Sequence, residues 1–592
     1  MSDRETGFAM LRANFSIRVL GGVLFAITAI AFTIRALTPE YGGVRAGRMD
    51  AGYLQSGDCR KCHESNYQTW HATFHRTMTR EAGNETVLVD FEHNNTLTYQ
   101  GIRAEMVREE GRYWMKLTGA DGKKQRLEIV RTVGSRRMQQ YLTRSGDEWI
   151  RLPVAYDLVQ RRWMHLNGSF FYADGTDYKA HVAEWNPNCV FCHNVKAQPG
   201  HNWEKNSWNT EVAELGIACG ACHGPGGSHA QRALSPLTRL RWHLNDGSAP
   251  AIAITNPDRL DSDRSAMVCG HCHGQRIPVP PDRIRTILSD GDPYDAGKDL
   301  HEFYQPVERE TKVGSFNFAT RFWADGSPRL TAYEYQGMTR SKCFRAGKPG
   351  ARITCTSCHS MHGGDPRGQL TEEMKTNAAC NQCHQKFAKP DQLVEHTKHP
   401  AQSSGSLCYN CHMPQIVFGI MSAHRTHDIT IPRPDETVRF DKPNACNQCH
   451  HDWSVNRAIA ETNRLWPKML VVNQPGDERF DEPEGRRELF SGSAVMRALS
   501  AAALAPADEA TAPLLFEAMQ DPYPIVRYFA ANALAAQHPA MPKPDYLAPA
   551  PERNATLLSW RQLFRPGTLQ AAKEARERLS TGRAEVDVDV GE

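Results

Sequence analysis

Three features that would point to a particular partner or fold are scarce in this sequence. The 592 residues carry a formal net charge of only +3, which gives no reason to expect a cationic surface for nucleic acid. Mean hydropathy is −0.56 and 40% of the residues are hydrophobic, values typical of a globular protein in water. A single cysteine, Cys343, stands outside a repeated motif, so no spare thiols remain for a disulfide framework.

The other sixteen of the seventeen cysteines occur in eight copies of Cys-x-x-Cys-His. In chain order, motifs 1 to 8 are Cys59, Cys62 and His63; Cys189, Cys192 and His193; Cys219, Cys222 and His223; Cys269, Cys272 and His273; Cys355, Cys358 and His359; Cys380, Cys383 and His384; Cys408, Cys411 and His412; and Cys446, Cys449 and His450. Two cysteines at this spacing can form thioethers with the two vinyl groups of a haem, and the histidine that follows can bind the iron. Zinc accepts paired cysteines but has no need of a histidine after every second one. The sequence therefore predicts eight covalently attached haem c groups, with these eight histidines as proximal iron ligands.

Such cofactors would reverse the sign of the net charge. Each haem adds two propionates, which a ferric centre offsets by about one positive charge, so the loaded protein would carry about −5 when oxidised and about −13 when reduced. This balance is a second reason to expect no nucleic-acid partner.

The N-terminal region holds an apolar run over residues 19–34 that is flanked by arginines. It predicts a signal anchor over residues 19–37, a transmembrane helix that leaves residues 1–18 in the cytoplasm. The small residues Ala29 and Ala31 leave a cleaved signal peptide as the alternative. The rest of the chain is then anchored to the inner membrane facing the periplasm, or is periplasmic or extracellular after cleavage. Both locations agree with the motifs, since c-type haem is attached on the far side of the bacterial membrane.

The composition and the hydrophobic pattern of the remaining chain change along its length. We expect a linker and the first motif over residues 38–85, a small antiparallel β insertion over 86–150, a seven-haem region over 151–455 and a helical domain over 456–592. The strand signals of the insertion are the alternating stretches Val87–Phe91 and Tyr113–Leu117. Little periodicity follows, which predicts a mainly α fold with extensive irregular loops wrapped around haems, because porphyrin supplies apolar surface. Short gaps between motifs 2 and 3, and along motifs 5 to 8, predict clusters of neighbouring haems.

Alanine and leucine recur with helical spacing near the C-terminus. They predict three consecutive helices over Ala494–Leu504, Thr511–Met519 and Ile525–Ala535. The stretch Asp521–Arg527, followed by Ala530–Leu534, resembles a HEAT-type repeat. The alternative is an ordinary helical bundle that caps the haem region, because so few repeats rarely form a solenoid.

Seventeen of the 25 histidines lie outside the motifs, enough for a second axial ligand at every iron. Each strong distal candidate lies in a short segment close to a motif in sequence: His75, His229, His362, His399 and His427. Weaker distal candidates are His181, His301, His424 and His396. An exposed histidine or one bonded to a propionate is the alternative role for each of them.

Several segments resemble a known group of multihaem cytochromes. Motif 1 followed by Tyr67, Trp70, Thr73 and His75 is similar to the opening of the tetrahaem cytochrome of ammonia oxidisers. The segments Cys222–His229, Cys411–Pro414 and Pro443–Cys446 are similar to segments of the pentahaem nitrite reductases and their octahaem relatives, some of which have helical repeat tails. The resemblance covers roughly residues 52–455 and implies haem binding. It does not choose between carrier and enzyme, since the group contains both.

Catalysis in this group needs an iron with an open coordination site. The nitrite reductases typically replace one motif histidine by lysine, and all eight motifs here end in histidine. The resemblance to octahaem tetrathionate reductases, which place a lysine over the active iron, makes Lys342 beside Cys343 a weak catalytic candidate, with a surface lysine next to a packed thiol as the alternative. Hydroxylamine oxidoreductase-like chemistry needs a cross-linked tyrosine, and nothing singles out Tyr333 or Tyr335.

These observations favour an electron-transfer protein outside the cytoplasmic membrane. Its redox partners would be a membrane or quinol-linked donor, or other cytochromes, and a periplasmic or extracellular acceptor. The alternative is an octahaem oxidoreductase that reduces or oxidises a small nitrogen or sulfur species such as nitrite, hydroxylamine or tetrathionate. A third hypothesis gives the C-terminal helices a docking role, toward a partner enzyme or in a homo-oligomer that extends a haem wire.

Overall fold

The computed structural model describes residues 52–177, 183–244, 254–348, 352–467 and 477–581, together with Arg583, Glu585 and Val588. The predicted anchor over residues 19–37 and the distal candidate His181 lie outside these residues. Among the helices that are described, none is long and apolar enough to cross a bilayer.

Helices account for most of the regular structure around the motifs and all of it near the C-terminus. They are α1 Ser56–Arg60, α2 Glu64–His71, α3 Val190–His193, α4 Cys219–His223, α5 Gly227–Ala233, α6 Pro236–Leu244, α7 Ser262–Gly270, α8 Ile284–Asp290, α9 Glu334–Arg340, α10 Lys342–Arg345, α11 Ala378–Asn381, α12 Pro390–Thr397, α13 Cys408–His412, α14 Asp435–Phe440, α15 Val455–Leu465, α16 Glu484–Ser491, α17 Ala494–Ala503, α18 Ala512–Ala518, α19 Pro524–Gln537, α20 Ala550–Arg561 and α21 Pro566–Leu579. A π-helical turn, Trp185–Cys189, leads into motif 2. Most helices before α15 have nine residues or fewer, as expected where cofactors supply much of the core.

The strands form small antiparallel sheets. They are β1 Arg80–Glu81, β2 Thr96–Tyr99, β3 Ile102–Glu109, β4 Arg112–Thr118, β5 Lys124–Ile129, β6 Arg131–Val133, β7 Met138–Ser145, β8 Glu148–Arg151, β9 Val154–Asp157, β10 Arg162–His165, β11 Ala183–Glu184, β12 Asn194–Gln198, β13 Glu211–Leu215, β14 Arg276–Pro278, β15 Tyr304–Pro306, β16 Lys312–Val313, β17 Phe316–Asn317, β18 Val417–Gly419 and β19 Ser422–His424. Strands β2 to β5 make a four-stranded meander, and β1, β6 to β9, β10 and β11 make a seven-stranded sheet. The other eight strands pair as four separate two-stranded antiparallel sheets.

The β region lies between motifs 1 and 2, where the alternating stretches predicted it. Tyr113–Leu117 falls within β4, whose side chains alternate between exposed and buried positions, and Asp121-Gly122 lies in the turn to β5. The prediction for Val87–Phe91 was wrong, because this segment forms no strand. Its Leu88 amide donates to the Gln139 side chain rather than to a neighbouring backbone. Val87 and Phe91 are nevertheless buried in the core of the sheet.

The three predicted C-terminal helices are present as α17, α18 and α19. One apolar cluster includes Phe171 and Phe418 of the motif region and Leu499 and Ile525 of the C-terminal helices. The Arg527 side chain is completely buried in this contact and pairs with Asp174 at 2.9 Å. A second cluster lies wholly within the C-terminal helices. The helical tail therefore has a core of its own and also covers the motif region.

Candidate cofactor sites at paired imidazoles

Each motif places its histidine one helical turn beyond its first cysteine. In motif 1 the amides of Cys62 and His63 donate to the carbonyl of Cys59 at 3.1 and 2.9 Å, and in motif 4 the His273 amide donates to the Cys269 carbonyl at 2.8 Å. Residues four apart in a helical turn share a face, so both cysteines and the histidine can reach one planar group. The spacing of the motif thus has a direct structural reason.

The motif cysteines all have free thiols, so no disulfide competes with thioether formation at any of them. Most of these thiols are half-buried, as for Cys62, and only those of Cys383 and Cys449 are exposed. Free thiols permit the attachment of haem at each cysteine pair, such as Cys59 and Cys62. The attachment itself stays a prediction.

Six proximal histidines face a second imidazole from outside their own motif. The ring centroids are 6.2 Å apart for His63 and His229, 6.3 Å for His223 and His362, 6.1 Å for His273 and His75, 6.3 Å for His359 and His427, 6.1 Å for His412 and His396, and 6.1 Å for His450 and His399. These pairs belong to motifs 1, 3, 4, 5, 7 and 8. A constant separation across six unrelated backbone settings indicates a common group between the rings.

The separation fits one metal ion held between two imidazoles. A metal–imidazole bond of about 2.0–2.1 Å, with about 1.1 Å more from ring nitrogen to centroid on each side, gives about 6.3 Å. Zinc would need further ligands, and the described part of the chain has no group of three or more histidine, cysteine or acidic residues that could hold a metal ion. The donor set of two imidazoles with two adjacent thiols fits haem c.

The five strong distal candidates of the sequence all lie opposite a proximal histidine, as does the weaker candidate His396. Two other weak candidates lie elsewhere. His301 has its Nε2 3.2 Å from the Tyr335 hydroxyl, and His424 has its Nε2 3.0 Å from the Gly419 carbonyl. Among the described residues, neither of these histidines has a motif histidine at the pairing distance.

Motifs 2 and 6 differ from the others. Within the described ranges, neither His193 nor His384 has a second imidazole at the pairing distance. The His193 ring instead lies 5.0 Å from the Trp185 ring, edge to face.

The Nδ1 atoms of the proximal histidines show which nitrogen is free for a metal. His223, His359 and His412 donate from Nδ1 to the carbonyls of Thr255, Gly368 and Thr430, at 2.7, 2.8 and 2.7 Å. A carbonyl can only accept, so Nδ1 carries the proton and Nε2 is left to coordinate.

Motif 4 has a different arrangement around its histidine. The Nδ1 of His273 lies 3.5 Å from the Glu334 Oε2, a buried carboxylate oxygen that has no hydrogen-bond donor among the described residues. Its two imidazole planes cross at 87°, whereas the planes of the other five pairs are inclined by 4° to 34°. The carboxylate and the crossed planes set this site apart. Sequence reasoning did not single out Glu334, which comes from a segment without a motif.

Cysteines of different motifs touch one another, which gives the order of the sites in space. The thiols lie close together in four pairs from different motifs: Cys59 and Cys219, Cys192 and Cys272, Cys269 and Cys355, and Cys380 and Cys408. Three further pairs of cysteines are near enough for each thiol to affect the pKa of its neighbour. They are Cys222 and Cys269, Cys358 and Cys383, and Cys411 and Cys449. The sites therefore follow one another as 1, 3, 4, 5, 6, 7 and 8, with site 2 joined to site 4. The predicted cluster along motifs 5 to 8 matches this order, but the cysteine contacts join motif 2 to motif 4 rather than to motif 3.

A charged network lies where motifs 2 and 4 meet. The Nε2 of His271 is 2.7 Å from the Asp292 Oδ2, and the Tyr304 hydroxyl donates to the Asp292 Oδ1 at 2.8 Å. Burial alone would raise the pKa of Asp292, but His271 and Arg276 hold it well below its usual range. Arg276 also donates to the His271 carbonyl. The network fixes the loop between the two motif 4 cysteines.

The weak catalytic candidates lie next to motifs 5 and 6. Lys342 is exposed on α10, and the half-buried Cys343 has its pKa raised by burial and by the nearby Cys383. Tyr335 packs against Gly270, and Tyr333 is buried beside Arg321. No described contact aims Lys342 at a paired imidazole.

Comparison with known proteins gives one match. Residues 348–389, which include motifs 5 and 6, match a family model described as a doubled CXXCH motif. No curated protein and no solved structure matches the chain. The match indicates a multihaem c-type cytochrome with covalently bound haem c, of a kind that takes part in electron transfer.

Proposed function

We propose that the chain is an electron-transfer protein that carries eight c-type haems outside the cytoplasmic membrane. The observation that carries the proposal is the set of six imidazole pairs with centroids 6.1 to 6.3 Å apart. Two imidazoles at this separation would hold a haem iron from both sides, which would leave no place for a substrate at those sites. Bound haem supplies a one-electron couple, and the chain holds its two axial ligands in fixed positions.

The order of the cysteine contacts supports a relay rather than a set of isolated sites. Seven sites follow one another along the molecule, and the eighth joins at site 4. Aromatic rings stack on the ligand imidazoles at both ends of the series, with Trp242 on His229 at 5.1 Å and Trp453 on His450 at 4.1 Å. These contacts restrain the imidazoles and keep water from their outer faces.

The donor, the acceptor and the location are parts of the same proposal. The sequence-predicted anchor and the attachment chemistry of c-type haem support a chain that faces the periplasm, with a quinol-linked membrane donor and a periplasmic or extracellular acceptor.

An oxidoreductase acting on a small nitrogen or sulfur species is the second candidate. It is favoured by motifs 2 and 6, whose histidines have no second imidazole in the described ranges. Of these, His193 is half-buried and lies beside the buried Trp185, whose ring covers one side of it.

A reductive titration distinguishes the two functions. We expect covalent haem, measured by intact mass and pyridine haemochrome, at eight per chain, and eight electrons taken up reversibly. Fully reduced protein should then stay reduced when nitrite, hydroxylamine or tetrathionate is added. Rapid reoxidation by one of these compounds, at a rate that saturates with its concentration, would support the enzyme instead.

A further inference from the structure

Helix α6 carries the two most exposed large apolar side chains in the part of the chain that the structure describes. Leu244 exposes 73% of its surface and Leu237 exposes 69%. Single exposed leucines are common on soluble proteins, but two on one short helix need an explanation. Their position on the helix and in the molecule gives one.

Both leucines point away from the cofactor sites. Positions 237, 241 and 244 are four and three residues apart, so they share one face, on which Arg241 is exposed between the leucines. Trp242 lies toward the opposite side and stacks on His229 with planes inclined by 5°. A haem held by His229 would therefore lie behind the helix and would leave the leucines uncovered.

Helix α6 follows α5, and the start of α5 lies next to the point where the described chain begins. The carbonyl of Gly52 accepts a hydrogen bond from the Gly227 amide at 2.9 Å, at the start of α5. A Cβ on Gly227 would lie 2.9 Å from that same carbonyl oxygen, so the close approach requires glycine. Only the fourteen residues 38–51 separate Gly52 from the end of the predicted anchor, a span of at most about 50 Å. The predicted anchor would therefore hold Gly52, and with it the start of α5, within about 50 Å of the bilayer.

The charge of this segment suits an anionic surface. Residues 227–244 contain three arginines and no acidic residue. On a bilayer, the two exposed leucines can enter the acyl region, while the long side chain of Arg241 can extend from between them to the lipid phosphates.

We propose that the outer face of α6 docks on an anionic lipid bilayer. This inference rests on the proposed function, in which the chain is anchored to the membrane and faces the periplasm. It adds a prediction of which end of the relay faces the donor. Because the inner face of α6 contacts His229, the docked helix places site 1 nearest the bilayer. Site 1 is then where electrons from a quinol-linked donor enter, and site 8 lies at the far end of the series.

Lipid photocrosslinking on the full chain tests the docking. Benzoylphenylalanine replaces Leu237 in one variant and Leu558 in the control, which is 61% exposed on α20. Both holoproteins are reconstituted into vesicles of phosphatidylcholine and phosphatidylglycerol, floated on a density gradient, irradiated and analysed by mass spectrometry. We expect lipid adducts at position 237 at least fivefold above those at 558, and a further loss of adducts when Arg241→Glu is combined with the probe at 237.

The two proposals fail in different ways. Full chain that does not float with the vesicles contradicts both the anchored location and the docking of α6. Chain that floats but gives equal adducts at 237 and 558 contradicts the docking alone. A crosslink from 237 to a second protein chain also contradicts it, because the face would then be a protein interface.

Discussion

Among the proximal histidines, His273 has the most unusual surroundings. Three other proximal histidines donate from Nδ1 to a neutral carbonyl, whereas His273 faces the Glu334 carboxylate at 3.5 Å. A carboxylate near the imidazole stabilises positive charge at the iron, and outer contacts of this kind are among the means by which a protein sets a potential. Glu334 is therefore a positioning residue for site 4.

Replacing this carboxylate tests its role. We expect Glu334→Gln to raise the midpoint potential of one haem by tens of millivolts, because the oxidised iron loses a nearby negative charge. The measurement is a potentiometric titration followed by electron paramagnetic resonance, in which the crossed imidazoles of site 4 give the low-spin signal with the largest g anisotropy. Glu64→Gln is the control, since Glu64 follows His63 in sequence but pairs with Arg60 at the surface. Equal titrations of the wild type and Glu334→Gln would contradict the assignment.

Two histidines that the sequence ranks alike are separated by the structure. His396 lies 6.1 Å from His412, whereas His301 contacts Tyr335. We expect His396→Ala to leave one further iron five-coordinate, adding to the wild-type spectrum a high-spin signal of one haem per chain that shifts with cyanide. His301→Ala should keep the wild-type spectrum. The reverse result would show that the imidazole pairs do not identify the axial ligands of the irons.

At the scale of elements, the C-terminal helices contain a carboxyl whose titration should affect stability. Glu488 of α16 is buried, and burial together with the nearby Glu484 raises its pKa well above the usual range. Its pKa in the unfolded chain is about 4.3, so the folded state binds more protons above that pH. Stability contributed by this group is complete below about pH 4 and decreases as the pH rises toward the folded pKa.

A neutral isostere should remove that dependence. We expect Glu488→Gln to melt at nearly the wild-type temperature at pH 5 and a few degrees above it at pH 8, as followed by circular dichroism of the oxidised protein. Glu577→Gln on the exposed side of α21 should match the wild type at both values. A Glu488→Gln protein that is less stable at pH 8 would show that the carboxylate is ionised and paired.

Helices and strands could be predicted from the sequence where the pattern that indicates them lies within a few neighbouring residues. The three helices near residues 494–535 and the strand around Tyr113–Leu117 follow from periodicity, which depends on neighbouring residues. Val87–Phe91 has the same alternation but forms no strand, because its alternating burial comes from lying across a sheet core. Even the wrong strand prediction therefore identified buried positions. The covering of the motif region by the C-terminal helices has no local signal, since it depends on contacts such as that of Arg527 with Asp174.

At the scale of the whole molecule, the sequence could name ligands but could not pair them. Six of the distal candidates it named lie opposite proximal histidines, yet most partners are far apart in the chain, as for His63 and His229. Motif spacing also predicted the contiguous series 5 to 8, but it missed the contact of motif 2 with motif 4. The pairing of the histidines and the order of the sites depend on which distant loops contact one another in the fold. Composition carries no information about those contacts.

The C-terminal helices should be needed for a stable haem region. We expect a chain that ends at residue 476 to give little soluble holoprotein, because it uncovers the apolar cluster that contains Phe171 and Phe418. Haem content and thermal unfolding of the purified fraction are the measurements. A truncated chain with eight haems and an unchanged melting temperature would instead make the tail a separate docking module.

The central claim is that paired imidazoles hold six of the eight irons and leave no open coordination position at those six sites. Quantitative electron paramagnetic resonance of the oxidised protein, with and without nitrite, hydroxylamine and cyanide, tests it most directly. The account predicts low-spin signals for at least six haems per chain, one of large g anisotropy from site 4, and no change in them on ligand addition. High-spin signals from several haems, or low-spin signals that shift with these ligands at more than two sites, would contradict it.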